Sequence, residues 1–169
     1  MRKNLTIIVY IIVCFTLQST LFKSLSFGGI SPNLMIVLTS AFGFMYGSKH
    51  GLTVGFFSGL LIDIFFGEVL GFYALIYMYI GYVNGIFQSI FYKEDIKLPL
   101  ALITASDFVY GIVTYLLLFL LRSRFHLGFY FSHIIFPEIV YTILISIILY
   151  PLLLATNKHF ERLEQRSVS

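Results

Sequence analysis

Residues 43–71 read GFMYGSKHGLTVGFFSGLLIDIFFGEVLG, and this stretch combines regularly spaced glycines with an almost wholly apolar background. Five glycines lie four residues apart, namely Gly43, Gly47, Gly51, Gly55 and Gly59. The next step of four residues falls on Asp63, and the two after it fall on Gly67 and Gly71. Small residues at this spacing let two helix backbones approach closely in lipid, where apolar packing alone gains little. The stretch therefore predicts membrane helices that pack through their glycines and carry a buried acid.

The whole chain has the composition of an integral membrane protein. Of its 169 residues, 59% are hydrophobic and only 11% are charged, and the mean hydropathy is +0.92. The net charge of +3 does not indicate nucleic-acid binding, because the basic residues lie between apolar segments, where they orient membrane proteins. We therefore expect membrane lipid as the surrounding medium and no nucleic-acid partner.

The N-terminal segment is expected to stay in the protein as a helix. It lacks a small-residue cleavage site after its long apolar run, so it does not resemble a cleaved signal peptide. Cys14 is the single cysteine, which excludes an intrachain disulfide, and the bulky residues before it do not fit a lipoprotein attachment site. We interpret Cys14 as a packing residue.

Six apolar segments approach the length of about 20 residues that a membrane-spanning helix needs. The predicted spans are residues 4–22, 33–46, 51–66, 71–92, 98–121 and 133–155, followed by a charged cytoplasmic tail at 156–169. The second and third spans are short and are joined by a tight turn at residues 47–50. The sequence thus predicts a single all-α membrane domain, residues 1–169, with six transmembrane helices.

The distribution of basic residues predicts the orientation of the chain in the membrane. With the N-terminus in the cytoplasm, eight basic residues lie inside and three lie outside, namely Lys23, Arg122 and Arg124. Cytoplasmic loops carry the excess of Lys and Arg in membrane proteins. We therefore expect both termini in the cytoplasm.

Three acids lie within or at the edge of predicted spans, and each allows more than one interpretation. Asp107 follows Lys97 by ten residues, which places it about 15 Å into its helix. An acid at that depth usually faces the bundle interior, where structural pairing, protonation, or ion or ligand binding could explain it. Glu138 could cap its own helix by interacting with the helix dipole. Asp63 could fix the packing by bonding a group on a neighbouring helix.

The sequence contains no metal or cofactor motif. The four histidines fall in loops or at helix ends, and none lies four residues from another ligand. The segment from Gly55 to Gly59 approaches the Gly-x-Ser-Gly motif of intramembrane serine proteases, but Phe56 stands where the first glycine belongs. An intramembrane hydrolase that uses Ser58 and His133 is therefore a third hypothesis with little support.

The glycine series itself has two interpretations. A helix turns once per 3.6 residues, so a spacing of four drifts by about 40° per step and gives a slanted seam. This seam could pack against another helix of the same chain. The alternative is a docking groove for a second membrane protein, with Asp63 anchoring the contact.

The chain contains an ordered set of motifs: Pro32-Asn33-Leu34, Gly47, Gly51, Gly55-x-x-x-Gly59-Leu60-Leu61-x-Asp63, Gly67, Gly71 and Gly81-Tyr82-x-x-Gly85. With these motifs, the chain resembles the MreD family of rod shape-determining membrane proteins over residues 4–160. The family often has Pro-Asp-Leu at the first motif, so Asn33 replaces an acid here. The resemblance directs attention to eight residues for partner binding or helix packing: Gly51, Gly55, Gly59, Asp63, Gly67, Gly71, Gly81 and Gly85.

The resemblance implies a non-enzymatic scaffold of the cell-elongation (rod) complex in the bacterial inner membrane. Such a scaffold binds the bitopic protein MreC and, through it, MreB, RodA and a class B penicillin-binding transpeptidase. It thereby helps to organise lateral peptidoglycan synthesis and cell shape. No cofactor is expected, and the oligomeric state stays open.

The same resemblance implies a fold similar to the S components of energy-coupling-factor vitamin transporters. Binding of a vitamin or micronutrient is therefore the alternative function. S components typically carry Ala-x-x-x-Ala in the first helix to contact their transporter partner. Residues 7–13 of this chain are bulky throughout, which argues against vitamin uptake.

Overall fold

The computed structural model describes the backbone of residues 2–26, 29–89, 96–120 and 127–168, and the side chains of residues 5–26, 29–89, 96–117 and 128–158. The α-helices in these ranges are α1 (Arg2–Ser19), α2 (Leu21–Ser24), α3 (Leu34–Tyr46), α4 (Ser48–Phe66), α5 (Phe72–Ile86), α6 (Lys97–Leu120), α7 (Leu127–Tyr130) and α8 (Phe136–Val168). A 3₁₀ turn at Phe87–Ser89 extends α5, and a π-helical segment at Phe131–Ile135 joins α7 to α8. The expectation of an all-helical protein is confirmed for the described residues.

Four helical stretches are long and apolar enough to cross a membrane: Leu5–Ser24, Ser48–Phe66, Lys97–Leu117 and Gly128–Lys158. The other two predicted spans correspond to shorter helices, because α3 has 13 residues and α5 has 15. At 1.5 Å per residue α3 is about 20 Å long, which is less than the ~30 Å hydrocarbon core of a bilayer. The structure therefore supports a membrane protein with four full-length apolar helices.

The central helix of the bundle is α3. Every side chain from Leu34 to Met45 is buried, and the helix packs against α1, α4, α5, α6 and α8. A helix that is apolar all round is stable where neighbours cover every face. By contrast, α1 exposes apolar side chains such as Ile8 and Ile12, as expected for a helix that faces lipid.

The turn between α3 and α4 is tighter than the sequence suggested. It consists of Gly47 alone, whose φ of +90° lies in the left-handed region that favours glycine. The Gln88 amide donates a hydrogen bond to the Met45 carbonyl at 3.0 Å and holds the end of α3. As a result α4 begins at Ser48, three residues before the expected start.

Several residues used for the predicted orientation lie outside the described residues. They include Lys93, Arg122 and Arg124, and the predicted span ends at residues 92 and 121 fall there as well. The predicted orientation, with both termini in the cytoplasm, stays a prediction.

Candidate functional site

Helices α4 and α5 pack backbone to backbone along the glycine series. A Cβ built on Gly51, Gly55 or Gly59 would overlap main-chain atoms of α5. In return, a Cβ on Gly81 would overlap the Gly51 carbonyl group, and one on Gly85 would overlap the first turn of α4. Such close approach is what small residues at four-residue spacing allow in membranes. This face of α4 is thus covered within the chain itself.

The central helix joins the same contact. A Cβ on Gly43 of α3 would lie 2.6 Å from the Gly81 carbonyl oxygen, and a Cβ on Gly51 would lie 2.7 Å from the Gly43 Cα. Three helices therefore meet at three glycines. The sequence placed Gly43 in the series but did not indicate that a third helix would share the seam.

Gly67 and Gly71 have a different position, in the connection between α4 and α5. Gly67 ends α4 and donates to the carbonyls of Ile62 and Asp63, both at 3.0 Å. Gly71 precedes α5 with a φ of +97°, a conformation that favours glycine. These two glycines shape the turn that brings α5 back along α4.

The Asp63 carboxylate caps the start of α5. It accepts hydrogen bonds from the backbone N–H groups of Gly71 at 3.0 Å, Tyr73 at 2.9 Å and Ala74 at 2.9 Å. The first N–H groups of a helix have no partner within the helix, and an anion there also interacts favourably with the helix dipole. Asp63 is buried, and its carboxylate accepts these three hydrogen bonds inside the chain, so its role in the structure is that of a helix cap.

A buried polar cluster connects α3, α5 and α8 through Asn33. The Asn33 Oδ1 caps α3 by accepting from the Ile36 N–H at 3.3 Å, and it also accepts from the Tyr77 hydroxyl at 2.8 Å. The Asn33 N–H donates to the Thr142 hydroxyl oxygen at 3.0 Å. All three of Asn33, Tyr77 and Thr142 are buried. One amide side chain and its backbone therefore link three helices.

Asp107 and Glu138 border this cluster. Asp107 on α6 is buried beside the Thr142 hydroxyl, which is close enough to interact with its carboxyl group. No hydrogen bond of standard geometry reaches either carboxyl oxygen from the described residues. Glu138 on α8 is partly buried, lies beside the Asn33 side chain, and is close enough to Asp107 for electrostatic interaction. The structure thus brings two of the three predicted acids together and keeps Asp63 apart in its own helix cap.

The residues of the hydrolase hypothesis do not form a catalytic pair. Ser58 is buried and its hydroxyl has no hydrogen-bond partner among the described residues. His133 is exposed, and its Nδ1 lies 2.9 Å from the Ser132 hydroxyl and 3.2 Å from the Phe129 carbonyl. The described side chains also include no group of three His, Cys, Asp or Glu residues that could hold a metal ion.

An apolar groove of about 580 Å³ runs between α1 and α4. Its walls include Ile8 and Ile12 from α1 and Phe57, Leu61 and Ile64 from α4. The groove lies on the side of α4 that is free of α5, since the glycines face α5. Among the described residues, it is a concave apolar surface that the chain leaves open toward lipid.

The residues that sequence reasoning missed are Tyr77 and Thr142, together with the structural role of Asn33. The available signal was the Pro32-Asn33-Leu34 motif, because Asn directly before a predominantly apolar helix is a cap candidate. The partners of Asn33 lie 44 and 109 residues away along the chain. No local pattern could have indicated them.

Comparison with known proteins identifies the family. A family model described as rod shape-determining protein MreD matches residues 1–158 of the 169-residue chain. No curated protein and no solved structure matches the chain. The match covers the glycine seam, the Asp63 cap and the cluster around Asn33. The chain therefore belongs to the MreD family of bacterial membrane proteins, which have a role in rod shape determination.

Proposed function

We propose that the protein is a non-enzymatic scaffold of the cell-elongation complex that binds a bitopic MreC-type protein in the inner membrane. The observation that carries the proposal is that the two sides of α4 differ in what covers them. One side is closed against α5 by glycines, and the other forms an open apolar groove with α1. The family match supports a role in rod shape.

The partner helix is proposed to lie in the groove between α1 and α4, and not on the glycine seam. From the sequence alone, a partner helix could contact Gly51, Gly55 and Gly59 directly. In the structure a partner helix could reach these glycines only by displacing α5, because α5 main-chain atoms already occupy the space beside them. The glycines act indirectly, by fixing the hairpin that forms one wall of the groove.

The shape and chemistry of the groove suit a single transmembrane helix. The α4 wall runs from His50 to Ile64, which corresponds to about 21 Å of helix length at 1.5 Å per residue. Its polar lining residues, His50 and Thr53, lie at one end, and apolar side chains line the rest. A helix with an apolar middle and a polar or aromatic end matches this pattern, as is usual for a segment that leaves the membrane at that end.

We propose that the contact with the bitopic partner also places the protein in the wider cell-elongation complex. The bitopic partner connects the scaffold to MreB, RodA and a class B penicillin-binding transpeptidase, and so to lateral peptidoglycan synthesis. The excess of basic residues on one side supports cytoplasmic termini. The similarity to S components of vitamin transporters stays a prediction, because no solved structure matches the chain.

Two matched substitutions test the groove by co-purification with the bitopic partner. Ile12→Trp fills the groove from a side chain that is 54% exposed, and Ile148→Trp places the same side chain on α8, where Ile148 is 71% exposed. We expect Ile12→Trp to reduce the co-purified partner at least about tenfold, which corresponds to about 1.4 kcal/mol of binding free energy. Ile148→Trp should leave the amount unchanged.

The outcome that would contradict the proposed docking site is equal partner recovery by both variants. If lipid alone fills the groove, neither variant changes partner recovery and neither changes cell shape. If both variants lose the partner, the effect is not specific to the groove, which would also contradict the proposal.

A further inference from the structure

The groove between α1 and α4 is closed at one end by an aromatic contact. The Phe15 ring of α1 lies 5.2 Å from the Phe65 ring of α4 and 6.0 Å from the Phe66 ring, measured between centroids. The groove lining ends just before these rings, at Ile12 on α1 and Ile64 on α4. This end of the groove therefore offers a partner helix only carbon surface, and no hydrogen-bonding side chain.

The opposite end of the groove carries its two polar lining residues, His50 and Thr53. The Thr53 hydroxyl donates a hydrogen bond to the Lys49 carbonyl at 2.9 Å, so its proton is used within α4. The His50 ring packs against the Tyr46 ring, with centroids 5.7 Å apart, and the described residues give its nitrogens no hydrogen bond. Because His50 is exposed, its ring nitrogens are open to water or to a partner.

The rest of the groove cannot select one position of a partner helix along its axis. Apart from His50 and Thr53, the described lining residues are aliphatic or aromatic. A shift of the partner helix by one turn, about 5.4 Å, would exchange one apolar contact for another. A single polar position specifies register in paired helices, and polar side chains form hydrogen bonds across helices in membranes. His50 is the lining residue suited to this role, since the proton of Thr53 is already donated.

We propose that His50 fixes the register of the bitopic partner's transmembrane helix by a hydrogen bond to a polar side chain of that helix. This inference rests on the proposed docking of the partner between α1 and α4. A neutral imidazole has one donor and one acceptor nitrogen, so a hydroxyl or amide side chain satisfies it. The partner that fits has one such residue at the His50 end, followed by about four apolar turns along the wall from His50 to Ile64.

Photocrosslinking in cells, with the captured residue mapped by mass spectrometry, tests this role. A benzophenone-bearing phenylalanine analogue at position 57 of the full-length protein should capture residues within a single turn of the partner helix. His50→Phe keeps a ring beside Tyr46 but cannot form the hydrogen bond. We expect its captured residues to spread over at least one further turn, about 5.4 Å along the helix, and partner recovery to fall about threefold.

Two further variants separate hydrogen bonding from packing. His50→Gln keeps a donor and an acceptor and should restore the wild-type capture pattern. Thr53→Val is the matched control at the same end of the groove and should also leave the pattern unchanged, because the Thr53 proton is donated within α4.

The possible outcomes distinguish this role from the docking site itself. Capture from position 57 with the same pattern in wild type and His50→Phe would overturn the role of His50 and leave the groove in place. A broadened pattern that His50→Gln does not restore would overturn it as well, since hydrogen bonding would not be the cause. No capture from position 57 in the wild type, while the complex still co-purifies, would overturn both the docking site and the register.

Discussion

Gly51 on α4 and Gly81 on α5 meet through their backbones, and the carbonyl group of each occupies the space where the other's side chain would begin. The relationship is reciprocal, since a Cβ on either residue would overlap the carbonyl of the other. This backbone contact sets the separation of α4 and α5. The Gly43 Cα of α3 packs against Gly51 at the same place. The packing of three helices therefore depends on these two positions.

Replacing Gly51 by alanine should destabilise the protein by about 3 kcal/mol, the upper part of the range for overpacking a core, because rigid backbone atoms must move. The effect should appear as a lower Tm in detergent. Gly128→Ala is the matched control, since nothing lies within 4 Å of a Cβ at Gly128. Alanine is also the better helix former, so the control should be neutral or slightly stabilising. Similar Tm values for the two variants would contradict the packing of α4 against α5.

Replacing Asp63 by alanine should lower the Tm because three N–H groups at the start of α5 lose their acceptor. The expected loss is about 2–4 kcal/mol, since unsatisfied buried donors and a lost helix-dipole interaction add together. Asp63→Asn keeps one acceptor oxygen and should cost less than Asp63→Ala. If Asp63→Ala unfolds at the wild-type temperature and loses only partner binding, Asp63 acts on the partner and not on the helix cap.

Asn33 should be sensitive to loss of its side-chain oxygen and tolerant of a carboxylate. Asn33→Ala removes the acceptor of the Ile36 N–H and of the Tyr77 hydroxyl. A lost helix cap and an unpaired buried hydroxyl together should cost about 2–3 kcal/mol. Asn33→Asp keeps both acceptors and restores the acid of the Pro-Asp-Leu motif, so its Tm should lie above that of Asn33→Ala. The reverse order would mean that charge near Glu138 outweighs the two hydrogen bonds.

The close helix contact was predictable from the glycines, but its partner was not. A spacing of four residues between Gly51, Gly55 and Gly59 indicates that another helix backbone comes near, because residues this small let helix backbones approach closely. Whether the backbone belongs to α5, α3 or another protein depends on how the chain turns at Gly47 and at Gly71. Those turns are set by single residues at φ of +90° and +97°, and a sequence shows the glycine without showing the angle.

The sequence identified the three acids within the apolar segments, but it did not indicate which groups they would contact. Asp63 bonds the amides of residues 71, 73 and 74, a pairing that requires the turn after α4 to have its observed length. Asp107 and Glu138 come together because α6 and α8 pack side by side. Helix neighbours across such long separations follow from the whole bundle, and no local pattern specifies them.

The most direct test of the account is site-specific photocrosslinking to the bitopic partner in cells. A benzophenone-bearing phenylalanine analogue replaces Phe57 in the groove, which is 52% exposed, or Phe129 in α7, which is 64% exposed and lies outside the groove. Both positions already hold an exposed aromatic ring, so the analogue should be tolerated at each. We expect a crosslink to the partner from position 57 and none from position 129. A crosslink from position 129 alone, or from neither position while the complex still co-purifies, would contradict the proposed docking site.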